Sequence, residues 1–112
     1  MATTTFSGPV VSQNGFKAGT NGAAITKVLT ASATLDFPSI AAVSQANLTI
    51  TVTGAAVGDE VILSLPAAPA AGLVFNAFVS AANTVTVRAT NVTAAAVDAA
   101  SATYGVIVLG AV

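Results

Sequence analysis

The most constraining feature of the chain is the alternation in Ala46 to Pro66, ANLTITVTGAAVGDEVILSLP. Leu48, Ile50 and Val52 interleave with Thr49, Thr51 and Thr53. A period of two puts the aliphatic side chains on one face of a strand and the hydroxyls on the other. Gly54 and Gly58-Asp59 then break the run, and Glu60 leads into a second β-rich run ending at Leu65. Such a pair builds a sheet with one buried and one open face. Nothing in it carries catalytic chemistry.

The same pattern recurs on both sides. Lys27 to Phe37 alternates at Leu29, Ala31, Ala33, Leu35 and Phe37, and Pro38 ends it because proline has no N–H for a ladder. Ser39 to Gln45 reads as a connection with a short helical turn, and Pro66 to Gly72 as a loop. Leu73 to Ser80 sets Leu73, Phe75, Ala77 and Val79 against Val74, Asn76 and Phe78, with Phe37, Phe75 and Phe78 expected in the core. After a turn at Ala81-Ala82-Asn83, Thr84 to Thr90 turns Val85, Val87 and Ala89 inward and Thr84, Thr86 and Arg88 outward. The short spacing makes these two runs an antiparallel hairpin. Asn91 to Ser101 reads as a loop or one helical turn, its Ala-rich part being too short for an independent helix. Ala102 to Leu109 is apolar on both faces, which predicts a central or covered strand. Six to seven short strands define an all-β chain, an antiparallel β-sandwich or open barrel over residues 25–112.

Residues 1–24 have a different character. They are rich in Gly, Ser, Thr and Asn, with turn signals at Gly8-Pro9, Asn14-Gly15 and Asn21-Gly22. A solvated tail has no use for Phe6, Val10, Val11 and Phe16. The segment therefore reads as an extended N-terminal arm that orders against a partner through those four side chains.

Composition removes most other functions. Charged residues are 6% of the chain, against roughly 25% in an average soluble domain, and the net charge is −1. Lys17, Lys27 and Arg88 are the only cations, too few for a phosphate-binding patch, so nucleic acid is not an expected partner. No apolar run is long enough to span a bilayer. The start MATTTFSGPVV lacks the basic and apolar regions of a secretory signal. With no His and no Cys, nucleophile–base pairs and thiolate metal sites are missing, and no cofactor, metal or enzymatic activity is expected. So little charge suits a subunit packed against others, because net charge near zero promotes association.

Individual motifs are equally spare. Asp59-Glu60 is the only adjacent acidic pair and reads as turn carboxylates, a Ca²⁺ site being the minor alternative. Arg88 suits either a cross-strand carboxylate or a neighbouring subunit. Together with Thr49, Thr51 and Thr53 it forms the candidate subunit interface. Asn47-Leu48-Thr49 and Asn91-Val92-Thr93 match the glycosylation acceptor as chance occurrences in a Thr-rich chain.

One resemblance extends this reading. ASATLDFPSI, the Leu-Thr-Ile-Thr-Val strand, the Gly-Asp turn, GLVFNAFVSAANTVTVR, the Asn-Val-Thr segment and the closing aromatic strand resemble a β-domain of tailed-phage and prophage virion proteins. The likeness covers about Ala31 to Leu109. The opening TTTFSGPVVSQNGF is similar to the start of phage and cyanobacterial-phage structural proteins that attach by an N-terminal segment. The resemblance implies a small capsid cement, or decoration, protein on the outer surface of the phage head. Its expected partners are the major capsid protein and copies of itself, most simply a homotrimer, with synthesis in the host cytoplasm. A receptor- or carbohydrate-binding tip domain of a tail or head fibre is the alternative, although a chain with no Trp and one Tyr offers little for a sugar.

Overall fold

The computed structural model describes residues 2–111. Among them, seven antiparallel strands form two sheets, with no helix. They are β1 (Phe16–Lys17), β2 (Ala24–Leu35), β3 (Gln45–Thr51), β4 (Glu60–Ser64), β5 (Leu73–Ala81), β6 (Thr84–Asn91) and β7 (Ala102–Ala111). One sheet runs β1-β2-β7-β4 and the other β3-β6-β5. β2 approaches β3, and β4 approaches β5, giving the expected sandwich.

The alternation places the core. β6 and β7 are the middle strands of their sheets and supply Val85, Val87, Ala89, Tyr104, Val106 and Val108, all buried. The two-faced apolar character of Ala102–Leu109 thus corresponds to a central strand. Ile50 from β3, Leu35 from β2 and Val79 from β5 complete the core beside them. At one end Phe37, Phe75 and Tyr104 make a mutual cluster with centroids 5.6 to 5.9 Å apart, an edge-favouring separation for aromatic rings.

Several boundaries shift for local reasons. β2 begins at Ala24 and stops at Leu35, leaving Asp36 and the buried Phe37 beyond it. β3 stops at Thr51 because Val52 to Ala55 is a turn, the Ala55 amide donating to the Val52 carbonyl at 3.1 Å. Thr53 consequently leaves the strand face on which it was expected. No helical turn forms in Ser39–Gln45; Ile40 instead pairs with Val97 as a β-bridge. The Ala-rich stretch after Asn91 is also not helical. There the Asn91 side chain donates to the carbonyls of Ala95 and Ile40, an alternative to helical bonding. Phe78 is not in the core. It lies half-buried on the outer face of β5, beneath the Arg88 guanidinium.

The chain measures 57 × 27 × 24 Å with a radius of gyration of 17.7 Å, against about 13 Å for a compact domain of this length. The excess comes with a segment before Phe16 that has no regular structure and does not fold back on the body.

Candidate functional site

Residues 2–14 are exposed without exception. Phe6 is 67% and Val11 87% exposed, with Val10 between a third and a half uncovered by any part of its own chain. A large apolar side chain gains about 1.5–3 kcal/mol on full burial, so these residues hold unspent binding capacity. The base of the segment is anchored. Phe16 and Lys17 pair with Ile25 and Ala24, and the Ser12 hydroxyl donates to the Gly15 carbonyl at 2.7 Å. Gly15 has φ +87°, and a Cβ there would fall on the Ile25 carbonyl oxygen, so only glycine lets the chain cross β2 at this point. The part of this segment that precedes the first strand pairing is residues 2–15, and Met1 lies outside the described residues. Phe16 belongs to the sheet, where it is exposed beside Ile25.

The end of the sandwich from which the arm departs is laced by turns. Lys27 Nζ lies 2.8 Å from Asp59 Oδ2 and donates to the Gly54 carbonyl at 2.9 Å. Asp59 also caps its own turn, accepting from the Ala56 amide at 2.9 Å, while Gly58 takes the φ of +99° that this turn demands. Asn83, at the β5–β6 tip, accepts from the Gly54 amide through Oδ1. Hydrogen bonding from Lys27 first, then from the Ala56 amide, holds the Asp59 carboxyl below its ordinary value. Asp59 is thus a turn carboxylate, and no group of three or more metal-ligating side chains occurs among the described residues.

The two outer sheet faces differ in kind. On the three-stranded sheet, Thr49 lies opposite Thr86 and Thr51 opposite Thr84, with Asn47, Arg88 and Asn76 forming a row across β3, β6 and β5. Arg88 donates from Nε to Asn47 Oδ1 at 3.0 Å and sits 5.1 Å above the Phe78 ring. It makes no carboxylate pair; the ion pair found among the described residues is Lys27–Asp59. Thr49, Thr51 and Arg88 share this polar face, whereas Thr53 lies in the turn beyond it. On the four-stranded sheet the register puts Phe16, Ile25, Val28, Leu109, Ile107 and Ile62 on one outer face. Five of these are exposed and Leu109 is half-buried. That apolar face was legible only as the second apolar parity of Ala102–Leu109.

At the opposite end, Pro66–Ala70 and Asp98–Ala102 frame a cleft of about 250 Å³ with Tyr104 in its lining. Burial pushes the Tyr104 hydroxyl above its ordinary pKa. The cleft is smaller than the roughly 300–1,000 Å³ of typical small-molecule sites, and its walls are mostly Ala and Pro. Nearby, Asn91 is fully buried, which removes Asn91-Val92-Thr93 as a glycosylation site in the folded chain. No helix among the described residues is long and apolar enough to cross a membrane. Compared with protein-family models, with curated proteins and with solved structures, the chain finds no match in any of the three.

Proposed function

We propose that this protein is a capsid cement protein of a tailed phage, bound to the outer surface of the head and stabilising the lattice of the major capsid protein. The observation that carries the reading is an anchored yet wholly exposed arm bearing Phe6, Val10 and Val11 on a rigid β-body. The resemblance of Ala31–Leu109 to virion β-domains supplies the biological setting. The arm, with Phe16 at its root, lies in grooves between capsid subunits, and the body stays outside. A ligand that binds only the assembled lattice stabilises it by its own binding free energy, about 2.7 kcal/mol per site at a hundredfold excess over Kd. The protein works without a cofactor or catalysis. Self-association belongs to the same reading, its three-fold count resting on the resemblance alone.

The test is binding of the full chain to empty shells of the cognate capsid protein. The double variant Phe6→Ser/Val11→Ser leaves the body untouched, since neither side chain packs on it. Loss of at least tenfold in shell affinity, with unchanged thermal unfolding of the free protein, is the expected result. Undiminished binding by that variant would sink the arm mechanism.

A further inference from the structure

We propose that the outer face of the four-stranded sheet is where a second copy of this chain docks, in a two-fold pair that seats Ile107 of each copy over Gly105 of the other. The first observation is the glycine itself. Gly105 lies within β7, the central strand of its sheet, where glycine weakens a strand and often marks close approach of another backbone. Nothing inside the molecule asks for it. Its φ is not in the left-handed region, and a Cβ built there would meet Ser64 Cβ at 3.6 Å and the Ala31 carbonyl oxygen at 3.8 Å, ordinary contact distances. The fold has room for a side chain that the sequence omits.

The second observation is the order of rows along this face. The row Thr30–Ile107–Ile62 is tall, and the next one along the strands, Ser32–Gly105–Ser64, is low. A two-fold axis lying in the interface and crossing the strands between these rows reverses strand position but keeps each strand opposite itself. β7 then faces β7, Ile107 enters the hollow at Gly105, and Ile62 meets Ser64. Such an isologous contact is self-complementary. Glu60 is the one charged residue that the register places among these rows, so a strongly charged partner would find no counterpart.

Area sets the strength. Strand spacing near 4.8 Å and a rise near 3.3 Å per residue give the face a planar footprint of about 400 Å². That is below the roughly 800 Å² per partner of a standard interface, so the pair belongs to the weak, transient class. The inference does not depend on the shell-binding reading, and it puts a two-fold pair in place of the three-fold count that the resemblance implies.

Sedimentation equilibrium of the full chain, from about 1 μM to about 500 μM, tests it. The expected mass rises from 10.8 kDa toward twice that value. Gly105→Val, which has room for its Cβ and suits a strand, is expected to weaken pairing at least tenfold without lowering the unfolding temperature. Ala94→Glu, exposed in the loop after β6, is expected to pair like the wild type. Monomer mass throughout, a limiting mass of three chains, or undiminished pairing by Gly105→Val each overturns the proposal. So does a wild-type monomer for which Gly105→Val abolishes shell binding, because the face would then belong to the capsid protein.

Discussion

The two ends of the sandwich are both tied by polar side chains, but by different physics. At the arm end, Lys27, Asp59 and Asn83 bind turn backbone at the surface. At the cleft end, Asn91 is fully buried and neutral, and its bond to the Ile40 carbonyl is enclosed. The backbone conformations differ in parallel. Left-handed φ values at the arm end fall on Gly54, Gly58 and Asn83, residues that tolerate them, whereas the cleft end has one on Gly72 and another on Val43. The arm end is held by charged and polar side chains at the surface and the cleft end by a buried neutral one. The tether proposed above would benefit from the first, since surface turns adjust without disturbing a core.

Breaking the buried node has the largest expected effect. Asn91 donates to the carbonyls of Ile40 and Ala95 and accepts from the Thr93 amide and hydroxyl. It thereby fastens the β2–β3 connection to the loop after β6. Asn91→Ala leaves these groups without their buried partner, at a cost of about 2–4 kcal/mol. Chemical denaturation measures the loss. Proteolytic cleavage is expected to appear first in Ser39–Gln45 and Asn91–Ser101, since both segments lose their shared clasp. A loss under about 1 kcal/mol would mean that water replaces the side chain and that the end is not closed.

Val43 offers the opposite sign at the same end. It has φ +57°, is 83% exposed, and so trades no packing for its strained backbone. For a β-branched residue the left-handed region is an outlier, and a side chain there costs about 1–2 kcal/mol. Asn accepts this conformation more readily, so Val43→Asn is expected to raise stability by about 1 kcal/mol, read as a higher denaturation midpoint at unchanged slope. A neutral result would show that the turn already relaxes its φ in solution.

The strands were legible because their signal is local. Period-two runs place Leu48, Ile50, Val85 and Val87 inside without knowledge of any partner strand, and the double apolar parity of Ala102–Leu109 marks β7 as central. What failed to show were relations between distant residues. Lys27 meets Asp59 and Asn91 meets Ile40 only once the sheets have stacked, and no periodicity encodes that. Asn91-Val92-Thr93 did carry a usable signal, since Asn followed two residues later by Thr is also the pattern of an Asx turn, the form it takes here. Phe78 misled for a simpler reason. Val74, Asn76 and Phe78 alternate as cleanly as the core set, so parity places Phe78 outside, and only its size argued for the interior. The apolar face around Ile107 was half legible, because a covered strand has two possible coverings, its own chain or another.

The smallest effect belongs to the exposed node, and pH separates its charge from its geometry. Asp59→Asn keeps an acceptor for the Ala56 amide while removing the attraction to Lys27. The folded-state carboxyl is held below its ordinary value of 3.8, so its contribution is complete above that value and disappears as pH falls through the lower folded one. The wild type should therefore unfold at a slightly higher temperature than Asp59→Asn at pH 7, by less than Asn91→Ala costs. That gap should close as pH falls through the lowered folded value and narrow in high salt, because surface charges are screened. A gap independent of both would mean that Lys27 and Asp59 act as neutral hydrogen-bonding groups do. The arm end would then be the same kind of device as the Asn91 end, and the contrast between the two would reduce to burial.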